Sequence, residues 1–145
     1  MTQGSDLFSI APSEISFPLP KAVNTTLHIH LTFFATTATV FLTTTSTGES
    51  QGTTRPMGSL VYAIPDRFDP KNTMTTALYT SPGTIDHARR TAQALARRMN
   101  IPVFVGCSID LSGQVVEEEA EGLAKIVDTI MRRWELFKGE KEEQG

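Results

Sequence analysis

The hydrophobic period of this chain changes after Ser81-Pro82-Gly83, and that change limits the folds open to it. Before it, the pattern is two-residue. From Thr25 to Phe34, Leu27, Ile29, Leu31 and Phe33 alternate with Thr26, His28, His30 and Thr32. Alternation of this kind marks a strand whose two faces meet different surroundings. Residues 38 to 45 follow after a short turn and pair with it as an antiparallel hairpin. Gly58 to Ile64 reads as a further strand closed by Pro65-Asp66, and Thr73 to Tyr79 as a weaker one. Glu14 to Phe17, bounded by Pro18 and Pro20, reads as a short edge strand. Most of the chain's 20 threonines lie before position 85, and a β-branched residue favours a pleated, half-buried surface. The Thr/Ser/Gly-rich stretch from Thr44 to Pro56 has no apolar pattern and reads as a loop.

After Gly83 the spacing becomes helical. Ile85, Ala88, Ala92, Leu95 and Met99 fall on one stripe, with Ser81 or Thr84 placed to cap it and Asn100 and Pro102 to stop it. Residues 101 to 109 form a buried strand around Val103-Phe104-Val105-Gly106-Cys107. A long helix then opens at Val115 or Val116, with Leu123, Ile126, Val127, Ile130, Trp134 and Phe137 on its apolar side. Gly139 is expected to end it and leave a frayed charged tail. A run of strands followed by helix, strand, helix is an α+β pattern. Two helices cover one face of a mainly antiparallel sheet and leave the other face, rich in Thr, His and aromatic side chains, free to pack on a partner's sheet.

At 145 residues the chain is expected to form a single domain, 1–145, with a core over about 14–137 and a charged tail over 138–145. A net charge of −3 disfavours a nucleic-acid partner. No segment approaches the roughly 20 apolar residues of a membrane span, and the N-terminus lacks the basic start and apolar run of a secretory signal. One cysteine, Cys107, excludes an internal disulfide framework and fits a reducing compartment. The expected place is the cytoplasm, with the nucleus also open.

Few residues suggest chemistry. Gly48-Glu49-Ser50-Gln51-Gly52 matches G-x-S-x-G, and Asp66 or Asp69 and then His87 follow in hydrolase order. That motif needs a sharp strand-to-helix turn, and Thr53-Thr54-Arg55-Pro56 is a poor helix start, so a small serine hydrolase using Ser50 and His87 is the alternative rather than the preferred reading. His28 and His30 lie on one strand face about 6–7 Å apart, two ligands short of a structural metal site. Cys107, in an apolar strand, reads as a small hydrophobe. Arg89, Arg90, Arg97 and Arg98 lie off the first helix's apolar stripe. Glu117, Glu118, Glu119 and Glu121 suit the dipole at the start of the second helix. No phosphate-cradling glycine motif is present. No catalytic, cofactor or metal site is expected.

Several segments together resemble a known family: Leu27-His28-Ile29-His30-Leu31, Val40-Phe41-Leu42, Gly58-Ser59-Leu60-Val61-Tyr62-Ala63, Thr91-Ala92-Gln93-Ala94-Leu95-Ala96-Arg97-Arg98, Pro102-Val103-Phe104-Val105 and Trp134-Glu135-Leu136-Phe137. From about Glu14 to Phe137 the chain is similar to proteasome assembly chaperone 4, as a fungal member. Proteasome assembly chaperone 3, of similar fold, is the nearest other family. The resemblance implies a non-enzymatic chaperone without cofactor. It would pair with an assembly chaperone 3 homologue and hold α-type subunits, α5 in particular, while the 20S core particle's α-ring forms. The pair would leave before maturation. On this reading the open sheet face, with His28, His30, Phe41, Tyr62 and Phe104, meets the partner chaperone, although alternation alone leaves the facing of each strand open. Arg89, Arg90, Arg97 and Arg98 are candidates for the proteasome subunit. A homodimeric scaffold is a further alternative.

Overall fold

The computed structural model describes residues 12–19, 24–47, 56–69, 71–109, 111 and 114–144. Six strands and two helices follow in the order β1 (Ser13–Pro18), β2 (Thr25–Phe33), β3 (Ala38–Ser46), β4 (Ser59–Pro65), β5 (Thr73–Tyr79), α1 (Ile85–Met99), β6 (Val103–Ser108) and α2 (Val116–Gln144). This is the expected α+β pattern. The strands form one sheet of spatial order β1-β2-β3-β6-β4-β5.

That order has a consequence for assembly of the fold. β1, β2 and β3 pair antiparallel in sequence, as do β4 and β5. β6, the last strand, lies between these two groups, parallel to β3 and antiparallel to β4. The sheet is continuous only once β6 is inserted. Its sequence suits the place, because Val103, Val105 and Cys107 are fully buried on one side. A close approach beside β6 also explains Gly58. That residue has φ +80, and a Cβ there would lie 2.1 Å from the carbonyl oxygen of Cys107. Only glycine fits both the conformation and the space.

The buried side of the sheet carries Leu27, Ile29 and Leu31 of β2, Val40 and Leu42 of β3, and Val61 and Ala63 of β4. α1 lies over β4, β5 and β6. Its Ala88, Ala92 and Ala96 are fully buried, so small side chains at four-residue spacing let the helix sit close to the strands. α2 packs beside α1 and over β2. Phe137 meets Phe33 at 5.1 Å between ring centroids, and the Lys125 ammonium lies 4.6 Å from the Phe17 ring centre on β1. Among the described residues no helix is long and apolar enough to cross a membrane.

Three local expectations are corrected. β3 runs through Thr44 and Thr45 to Ser46, so the loop starts later than its composition suggests. Thr44 is buried on the helix-covered side, and a threonine there suits the pleat. α2 continues through Gly139 to Gln144. One glycine costs a helix about 1 kcal/mol, which does not force a stop. Lys138 before it lies 4.0 Å both from Glu135 Oε2 and from the Trp134 ring centre. Thr84 is the N-cap residue of α1 by position but makes no capping hydrogen bond. Its hydroxyl instead joins the Ser81 carbonyl (3.2 Å) and the Ser59 hydroxyl (2.8 Å), tying the helix entry to β4. At the other end Asn100 takes a left-handed conformation and donates its N–H to the Ala96 carbonyl.

Candidate functional site: the uncovered sheet face

No described helix lies on the second face of the sheet. Strand register settles which residues share it, because directly opposed residues in neighbouring strands point the same way. One row crosses five strands, Glu14, His30, Phe41, Gly106 and Leu60, and the β4–β5 register shifts just beyond it, between Leu60 and Val61. The next row contains Thr32, Thr39, Phe104, Tyr62 and Thr76. A third contains Ser16, His28, Thr43 and Ser108. With strands about 4.8 Å apart, the face is about 24 Å wide.

The face divides into a polar end and an apolar centre. At the β1 end the His28 ring spans three strands, with Nδ1 2.7 Å from the Ser16 hydroxyl and Nε2 2.8 Å from the Thr45 hydroxyl. His30 Nε2 lies 3.5 Å from a carboxylate oxygen of Glu14. Both imidazoles are thus engaged within the sheet, and no metal-binding cluster occurs among the described residues. Towards the centre, Phe41 leans over Gly106. A Cβ on Gly106 would stand 2.6 Å from Phe41 Cδ1, so the missing side chain is the seat of the ring. A groove of about 260 Å³ opens here, lined by His30, Phe41, Met57 and Gly106 among others. Tyr62 and Phe104 stack beside it with ring centroids 4.3 Å apart at 28°. Beyond them Ile64 is paired with Met74.

This surface is exposed for its composition. Phe41 is 43% exposed and Met74 60%. Apolar side chains gathered on one flat face, rather than scattered, mark an interaction surface.

The structure places His28, His30, Phe41, Tyr62 and Phe104 on this one face. Alternation along each strand could not show that, because it needs the register between strands. Leu60, Ile64 and Met74 join them and were not singled out from the sequence. The parity of Tyr62 carries a signal for Leu60 and Ile64, two residues either side of it. Gly106 is legible only once Phe41 is known to oppose it.

The four arginines stand elsewhere, on the exposed side of α1. Arg89 lies 3.8 Å from Asp86 of its own helix, and Arg98 3.2 Å from Asp128 of α2. Arg90 and Arg97 line a second groove with Lys71.

The groups of the alternative hydrolase reading are not assembled among the described residues. Ser50 and the whole of Gly48–Gly52 lie outside them. Asp66 and Asp69 accept the backbone N–H groups of Phe68 (2.9 Å) and Lys71 (3.2 Å) in the β4–β5 turn. His87 Nδ1, the atom that a triad's acid would hold, is buried without a hydrogen-bond partner. Cys107 is fully buried, and burial pushes its thiol up to about 11, away from the range of a nucleophile.

Comparison with known proteins follows the same lines. The model of the family described as proteasome assembly chaperone 4 matches residues 26–109, more than half of the chain. Among solved structures, a chain from the crystal structure of a novel chaperone complex for yeast 20S proteasome assembly superposes with a TM-score of 0.56 at 18% identity. That alignment covers 90% of this chain and 97% of the other, and it shows the shared fold. No curated protein matches the sequence. With the family match running from β2 through β6, the chain belongs to the proteasome assembly chaperone 4 family.

Proposed function

We propose that this proteasome assembly chaperone works as one half of a heterodimer, using its uncovered sheet face to pack on an assembly chaperone 3 homologue. The pair would hold α-type subunits, α5 in particular, during assembly of the α-ring of the 20S core particle and leave before the particle matures. The work is done by binding, without catalysis or cofactor. Its expected location is the cytoplasm and also the nucleus.

The observation that carries this reading is the row across the sheet with Phe41 seated on Gly106 and the Tyr62–Phe104 stack beside it. Two sheets pack face to face about 10 Å apart when such inner faces interdigitate. Stable heterodimers bury roughly 800 Å² per partner. The face is about 24 Å wide and its seven-residue strands are about 23 Å long, a flat area of the same order.

Co-expression with an assembly chaperone 3 homologue, followed by light scattering on the purified species, tests the proposal. The expected result is a 1:1 heterodimer that retains a recombinant α5-type subunit. His30→Asp would place a second carboxylate beside Glu14 on the packing face and should abolish pairing. Arg97→Glu should leave pairing intact. A His30→Asp chain that still co-purifies with its partner would refute the face assignment. A stable homodimer that does not exchange with the homologue would favour the scaffold reading.

A further inference from the structure

Between the β4–β5 turn, the start of β5 and the exposed side of α1 lies a groove of about 330 Å³, away from the sheet face. Its lining includes Lys71, Thr73, Arg90, Gln93 and Arg97. We propose that this groove binds an acidic peptide segment through one or two Asp or Glu carboxylates. On the function proposed above, that segment would belong to the proteasome subunit held by the chaperone pair.

Two observations point to a carboxylate. First, the cations converge from separate elements. Arg90, Gln93 and Arg97 fall on one stripe of α1, at spacings of three and four residues. Lys71 comes from the turn, where its N–H donates to Asp69 Oδ1 at 3.2 Å and the Asn72 N–H donates to the Asp69 carbonyl at 2.9 Å. Asp69 thus holds the backbone N–H groups of both Lys71 and Asn72. Second, the charge is uncompensated. Arg89 and Arg98 have carboxylate partners, but among the described residues no ion pair engages Lys71, Arg90 or Arg97.

A carboxylate fits the set by size and chemistry. A guanidinium fork grips it through two parallel N–H bonds, and an ammonium adds a point charge. Nucleic acid fits less well. Non-specific binding needs several phosphates neutralised along a basic track, whereas this groove offers three cations on a chain of net charge −3.

The test uses the full chain, labelled with nitrogen-15, and a capped hexaglutamate peptide as probe. Titration at low salt should shift the amide signals of residues 71–73 and 90–97 saturably, with affinity falling as salt is added. Arg90→Glu with Arg97→Glu should weaken binding at least tenfold, and Arg90→Gln with Arg97→Gln should fall between. Unchanged circular dichroism would show that these exposed helix positions leave the fold intact. Arg132→Glu with Arg133→Glu, on α2, should bind the peptide as the unaltered chain does. Shifts scattered over all basic residues would overturn the inference. So would equal occupation by inorganic phosphate or tighter binding of a deoxythymidine decamer. Capture of the α5-type subunit separates the two proposals. If capture survives the double charge reversal unchanged, the groove inference fails and the chaperone function stands. If the peptide binds in the groove but no α-type subunit is ever captured, the site stands and the proposed function fails.

Discussion

Val40 and Phe41 are neighbours on β3 that point to opposite faces, so replacing each with alanine should separate folding from pairing. Val40 is fully buried among the helix-covered strands, while Phe41 is 43% exposed. Val40→Ala removes two methyl groups at about 0.8 kcal/mol each and leaves a cavity, for a loss of about 2–3 kcal/mol of stability. Its surface is untouched, so pairing by the folded fraction should be normal. Full burial of a phenylalanine is worth about 1.5–3 kcal/mol, and the isolated chain realises only about half of it at Phe41. Phe41→Ala should therefore cost the lone chain about 1–1.5 kcal/mol. The remaining part becomes available only when another polypeptide covers the ring. Losing it corresponds to about three- to ninefold weaker pairing, and more if Phe41 proves a central anchor. Urea unfolding followed by circular dichroism gives the first quantity. Isothermal titration with the assembly chaperone 3 homologue gives the second. Phe41→Ala pairing within twofold of the unaltered chain would refute the reasoning, as would Val40→Ala weakening pairing equally while fully folded.

Two further substitutions or conditions probe the frame that holds the face. Gly58→Ala places a methyl group against the backbone oxygen of Cys107 and forces a side chain into a positive-φ position. Neither atom belongs to a flexible side chain, so the chain should lose more than about 3 kcal/mol or fail to fold, read as a lowered urea midpoint. Cys107 sets an alkaline limit. Its thiol titrates near 9.0 when unfolded and about 11 when folded, because burial disfavours the thiolate. Between these values the unfolded chain holds fewer protons than the native one, so stability is intact below pH 9 and falls as pH rises towards 11, by about 2–3 kcal/mol. Unfolding at stepped pH checks the sign. Cys107→Ala should flatten that portion of the curve, and a curve that stays as steep would exclude the thiol as the cause.

Much of the fold is legible in the residues themselves. The alternation in 25–34, the 3-4-3-4 spacing from Ile85 to Met99 and the Val-rich run at 103–105 each follow from local geometry, since a strand or helix needs its apolar residues on one side. The same locality explains the errors. The strand reading of 38–45 and the loop reading of 44–56 overlap at Thr44 and Thr45, and pairing with β2 decides for strand. Gly139 looks like a terminus, yet helix continues through it.

The sequence by itself determined the element types, the concentration of β-branched residues in a sheet, and the absence of a recognisable nucleotide-binding motif. Tertiary structure alone decided that the last strand enters between β3 and β4. Register between strands is a non-local property, and it is register that gathers His30, Phe41 and Leu60 into one row around Gly106. It was also folding that tied Arg98 of α1 to Asp128 of α2 and set Arg90 and Arg97 in a groove with Lys71, whereas the Arg89–Asp86 pair is local to one helix.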